Sequence, residues 1–144
     1  GGQIRVRLSG SAASIAHAHA LIGGESFAAG RYWYDLNNLK LDFFQQEGRL
    51  WRMSVPPMSE PFGQELSLLL DWGGAQRWLK SDESPEAIRA WAERAGGHAE
   101  CYSPDPAVET YHRLEESSLA LHRRFKAALD PAGIFNPGRM YPGL

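Results

Sequence analysis

The sequence predicts an α+β fold, and three observations carry that expectation. Runs in which apolar and polar residues alternate stand at 3–9, 49–55 and 65–72, and a Gly-Gly turn follows the last of them. Stretches with apolar residues every three or four positions stand at 12–22, 84–96 and 107–129. Glycine and proline pairs separate the two kinds of segment.

In residues 3–9, Ile4, Val6 and Leu8 face one way and Gln3, Arg5 and Arg7 the other, the pattern of a half-buried strand. Ser11 stands where it can cap a helix carrying Ala12, Ile15, Ala18 and Ile22, and Gly23-Gly24 stops that helix. Residues 31–47 fit a helical face through Trp33, Leu36 and Phe43. Residues 49–55 alternate again, with Trp51, Met53 and Val55 opposite Leu50, Arg52 and Ser54, until Pro56-Pro57 ends the strand. Leu66, Leu68, Leu70 and Trp72 share a face; Gly73-Gly74 turns the chain, and Ala75 to Leu79 returns as a strand.

Ser84-Pro85-Glu86 opens a helix with a capping hydroxyl, proline at the first helical position and an acid in the first turn. Its apolar stripe is Ile88, Trp91, Ala92 and Ala95, and Gly96-Gly97 ends it. Residues 98–103 then read as a short strand with Ala99 and Cys101 inward. The order β-α-β-β-α-β, with an insert after the first helix, is the ferredoxin-like arrangement. A long amphipathic helix from Ala107 to Leu129 follows, until Asp130-Pro131 breaks it. Residues 130–144 hold three prolines and three glycines, so this irregular tail is either held by tertiary contacts or loose. The chain divides into 1–106 and a C-terminal helix with tail, 107–144.

Hydrophobic residues make up 43% and charged residues 22%, a globular composition. The net charge of −2 lacks the basic excess of a nucleic-acid binder. No run reaches the roughly 18 uncharged apolar residues of a membrane span. The start lacks a methionine and an apolar signal core and runs almost at once into a strand pattern, which suits the cut edge of a longer chain; a processed terminus is the alternative. The single cysteine, Cys101, excludes an internal disulfide and fits a reducing compartment as a buried strand residue.

His17 and His19 lie two apart on a predicted helix, roughly 200° around its axis, and cannot chelate one ion together. His98, His112 and His122 share no ligand spacing, so no metal is expected. None of the glycine pairs begins a GxGxxG or GxxxxGK[ST] run, so no pyrophosphate cradle is expected. There is no GxSxG elbow, and Glu115-Glu116 reads as a solvated face. Arg52 and Arg77 stand beside tryptophans and are candidates for a carboxylate or a flavin edge, surface stacking being the other reading.

The run LDPAGIFNPGR, Leu129 to Arg139, closely resembles the C-terminus of FAD-linked oxidases of the vanillyl-alcohol-oxidase type. LWRMSVPP (50–57), WGGAQRWL (72–79) and NPGRMYPGL (136–144) are similar, more narrowly, to the FAD-binding subunits of glycolate oxidases. The resemblance implies a flavin-binding domain, outside this chain, that holds most of the FAD, and a ferredoxin-like cap over it. It implies that the helix and tail of 107–144 return to the flavin domain and set Asn136 and Arg139 beside the isoalloxazine. A cation there would favour the anionic reduced flavin. The implied partners are companion flavin and iron–sulfur subunits, and the implied substrate is a small 2-hydroxy acid such as glycolate. The implied location is cytoplasmic, with peripheral attachment at the inner membrane through partner subunits. The His and Glu-His metal set of related hydroxyacid dehydrogenases has no match here, which points toward electron relay rather than direct substrate oxidation by this subunit. On this reading the chain alone is inactive and holds no FAD strongly, and its tail of residues 130–144 is displaced or mobile. The alternative is a ferredoxin-like subunit-interaction module without a catalytic role, docking through its sheet face or the helix of 107–129.

Overall fold

The computed structural model describes residues 2–63 and 67–144. The chain divides into two compact units, residues 1–38 and 39–144.

The first unit holds helices α1 (Ala12–Ile22) and α2 (Tyr32–Asn37). Ser11 caps α1 as its sequence predicts: the Ser14 N–H donates to Ser11 Oγ at 3.2 Å. Gly23, at φ +73, ends the helix in a conformation that glycine adopts freely. The strand expected over 3–9 is not formed, and Ile4 is 92% exposed. Alternation assigns a strand's two faces, but a ladder also needs a neighbouring strand, and the described residues of this unit supply none. The polar side of the segment finds partners instead. The Arg5 guanidinium lies 4.6 Å from the Tyr32 ring centroid, and that of Arg7 lies 6.0 Å from Trp33.

The second unit is built on four strands: β1 (Arg49–Ser54), β2 (Leu68–Asp71), β3 (Gln76–Ser81) and β4 (His98–Cys101). Their order in the sheet is β2-β3-β1-β4, and every neighbouring pair is antiparallel. β1 and β2 therefore run parallel with β3 between them, the split arrangement of a ferredoxin-like sheet. The α+β class holds, but its first β-α step is built differently from the expectation. The connection from β1 to β2 contains no helix among the described residues, and α1 belongs to the other unit. The strand expected over 65–72 begins at Leu68, and Leu66 lies outside the described residues.

Helix α3 (Pro85–Arg94) covers one face of this sheet. Ser84 Oγ accepts the Ala87 N–H at 3.2 Å, and Pro85 occupies the first turn, where a missing N–H costs nothing. Ile88 and Ala92 reach into a core of Trp51, Met53, Val55, Leu79, Ala99 and Cys101. Each large side chain buried there contributes about 1.5–3 kcal/mol.

Helix α4 is shorter than its periodicity suggested, running from Glu116 to Leu129. Residues 107–115 are not helical and lie against β4 and α3. The Cys101 N–H donates to Thr110 O at 2.9 Å, and Arg89 donates to the carbonyls of Glu109 and Tyr111. Those tertiary bonds use backbone groups that a helix would have paired internally.

Candidate functional site

The register of β1 against β3 sets Arg52 opposite Trp78 and Met53 opposite Arg77. Successive side chains of a strand point to opposite faces, so Arg52 and Arg77 lie on different sides of the sheet. The two arginines singled out by the sequence are not brought together.

Arg77 is 4% exposed. Its Nε donates to Gly74 O at 3.2 Å, Nη1 to Glu60 O at 3.1 Å, and Nη2 to Pro57 O at 3.2 Å and Ser59 O at 2.7 Å. Four of its five N–H groups therefore staple the chain after β1 to the β2–β3 turn. This use explains a buried arginine without any ligand.

Arg52 has a different environment. Its Nη2 meets Glu100 Oε2 at 2.5 Å, and the guanidinium lies 5.0 Å from the Tyr102 ring centroid. Its Nε is buried without a hydrogen-bond partner among the described residues. Tyr102 in turn packs edge-on against Trp78 at 5.1 Å, and Trp78 against Phe44 at 5.4 Å. Arg52 thus rises from an aromatic floor into a cleft of about 530 Å³. A neighbouring cleft of about 420 Å³ is lined by Arg139 and Arg113. The two clefts share Thr110, Tyr111 and Met140 as walls, so Arg52 and Arg139 border adjoining spaces.

The tail is neither displaced nor regular; it is held at two points. At its far end the Tyr141 hydroxyl donates to His112 O at 2.9 Å, and its ring lies 5.9 Å from that of Tyr111. Burial, with Glu100 and Tyr111 adding to it, pushes the Tyr141 phenol above its usual range. At its near end Asp130, 7% exposed, accepts the N–H groups of Ile134 at 3.1 Å and Phe135 at 2.9 Å. Lys126 Nζ lies 2.6 Å from Asp130 Oδ2 and also donates to Phe135 O. The Lys126 hydrogen bond, followed by that from the Phe135 N–H, holds the Asp130 carboxyl down at about 2.

Beyond this clamp Asn136 adopts φ +46, a left-handed conformation that asparagine tolerates better than most residues. The Arg139 N–H closes the turn onto Asn136 O at 3.2 Å, and Arg139 Nη1 donates to Asn136 Oδ1 at 3.4 Å. The two sequence candidates of the tail are therefore adjacent. Among the described residues no carboxylate lies within ion-pair distance of Arg139. Leu121, Phe125 and Leu129 form an uncovered stripe along α4, with Phe125 58% and Leu129 80% exposed. Ile134 and Phe135 continue the exposed apolar surface into the tail.

Residues 107–140 match the family of FAD linked oxidases, C-terminal domain. Over 142 residues the chain is 42% identical to glycolate oxidase subunit GlcE of Escherichia coli (strain K12). The chain is thus similar to GlcE along nearly its whole length, and residues 107–140 resemble the C-terminal domain of FAD-linked oxidases. The match takes in 96% of this chain and 39% of that subunit, so the chain spans well under half the length of the curated relative. No solved structure matches it.

Among the described residues, the tail offers groups chemically suited to one end of an FAD and none suited to the other. An uncompensated cation, an amide in a fixed turn and an apolar surface suit the isoalloxazine edge. No glycine-rich loop at the start of a helix stands ready for a pyrophosphate among them. The same residues hold no group of three or more metal-ligating side chains, although the His98 and His112 rings lie 6.3 Å apart and His112 Nε2 lies 3.2 Å from Glu93. No helix among them is long and apolar enough to cross a membrane.

Glu100 and Tyr111 escaped sequence reasoning as parts of this region, and Lys126, Asp130 and Met140, in or beside the tail motifs, were given no role there. Only Lys126 and Asp130 carried a local signal, the i,i+4 spacing of opposite charges at a helix end.

Proposed function

We propose that this chain is the cap and C-terminal portion of an FAD-dependent 2-hydroxy-acid (glycolate) oxidase or dehydrogenase subunit. Residues 1–106 cover the flavin, and residues 107–144 return to a flavin-binding domain that holds most of the FAD. The observation that carries this reading is the uncovered stripe of Leu121, Phe125 and Leu129 leading into the fixed turn of Asn136 and Arg139. An apolar helix face of this kind is the contact a second domain covers.

Held chiefly by the flavin-binding domain, FAD would supply the acceptor for a hydride equivalent from a 2-hydroxy acid. Arg139 supplies positive charge at the flavin edge, where reduction develops negative charge, and Asn136 supplies an amide that the turn holds in place. Arg52, which lines the adjoining cleft beside Glu100, is the carboxylate candidate there. The region serves either substrate or electron transfer. Companion flavin and iron–sulfur subunits complete the assembly, which is cytoplasmic or held peripherally at the inner membrane.

The test restores the flavin-binding domain and compares Asn136→Ala and Arg139→Ala with the native subunit. The expected result is lowered flavin content or slower flavin reduction. Unchanged content and reduction in both variants would overturn the assignment. The chain alone, incubated with FAD and desalted, is expected to retain no flavin absorbance.

A further inference from the structure

We infer that Lys126 and Asp130 form a positioning clamp that sets Arg139 at the flavin edge; the inference rests on the role proposed above for the Asn136–Arg139 turn. The helix ends at Leu129, and the chain must change direction before Asn136 without help from regular structure. Asp130 performs that change with its own groups. Its backbone carbonyl accepts the Gly133 N–H at 3.0 Å, and its two carboxylate oxygens accept the next two N–H groups, of Ile134 and Phe135. Gly133, at φ +64, supplies the left-handed residue that this tight turn requires.

Lys126, one helical turn earlier, closes the ring by bonding both Asp130 and the Phe135 carbonyl. The pair thus fixes both the N–H and the C=O of Phe135, the residue directly before Asn136. Charge-assisted bonds of this kind are shorter and stronger than neutral ones. Asp130 is also nearly buried while Ile134 and Phe135 beside it are largely exposed. Packing does not hold this stretch, so its geometry depends on the clamp. Lys126 and Asp130 are positioning residues that act on the flavin through Arg139.

The test uses the flavin-loaded full subunit and reads the flavin midpoint potential. Asp130→Asn and Lys126→Met are expected to shift it to more negative values, the direction in which Arg139→Gln shifts it, because each releases the Arg139 cation from the reduced flavin. Asp130→Asn added to Arg139→Gln is expected to give no further shift, and Lys126→Arg is expected to keep a near-native potential. A shift with Arg139→Gln but none with the two clamp variants would overturn the clamp, as would additive shifts. No shift in any of the three would overturn the flavin-edge role of Arg139 itself. Where a substituted subunit loses its flavin, tryptic cleavage at the Arg139–Met140 bond is read instead. Faster cleavage than in the native chain supports the clamp, and an unchanged rate overturns it.

Discussion

The Arg77 guanidinium lies over the indole of Trp91, 5.7 Å from its ring centroid, and reaches past it to four backbone carbonyls. Charge, stacking and hydrogen bonding all act at one buried point beside the core, and the connection from β1 hangs from it. Arg77→Met keeps the apolar stem but strands carbonyls in poor contact with water. The expected loss is about 2–4 kcal/mol of unfolding free energy, read from urea denaturation of the chain. Arg77→Lys is expected to recover only part of it, because one ammonium cannot span four acceptors. A loss below about 0.5 kcal/mol, the scatter of ordinary surface substitutions, would show that the connection does not depend on this side chain.

Gly97 marks the closest approach between the end of α3 and the end of β1. A Cβ there would stand 1.9 Å from Ser54 O and 2.9 Å from Val55 Cα. Both atoms are backbone, so no side chain can swing aside. Gly97→Ala is expected to cost about 3 kcal/mol or more, or to prevent folding. Gly73 makes the control: its φ is +64 and nothing lies within 4 Å of an added Cβ. Gly73→Ala is expected to cost only the conformational strain, about 1 kcal/mol. Thermal unfolding of the two variants side by side separates steric overlap from backbone strain, and equal losses would contradict the close approach.

His112 gives the fold a pH dependence. Burial pushes its pKa below 6.5; Glu93 draws it partly back, while His98 and Arg89 add to the depression. The folded chain therefore binds fewer protons at this site than the unfolded chain. The stability it contributes is present above pH 6.5 and is lost as the pH falls through 6.5 to the depressed folded value. The urea midpoint of the native chain is expected to fall with acidification across that window, and His112→Gln to flatten the dependence. An identical slope in the variant would place the titration elsewhere.

Much of the local structure was legible in the sequence because its signals act within a few residues. Ser11 and Ser84 cap helices through hydrogen bonds to N–H groups three positions on. Alternation in 49–55 and the return after Gly73-Gly74 over 75–79 marked the two central strands, and the Asn-Pro-Gly-Arg run marked a turn that the structure forms. The family resemblance was equally readable, since it rests on short motifs.

What the tertiary structure alone decided depends on partners distant in sequence. Residues 3–9 have a strand's alternation, yet extended backbone becomes a strand only where another strand accepts its hydrogen bonds. Residues 107–115 continue a helical periodicity, yet Arg89 and β4 take up their backbone groups first. Arg52 and Arg77 looked alike as arginines beside tryptophan. The register across a long connection put one on an aromatic face with an unpartnered N–H and the other against α3 with its donors already engaged. Local chemistry set which backbone shapes were available, and pairing between remote segments selected among them, because only that pairing satisfies the buried polar groups each shape leaves open.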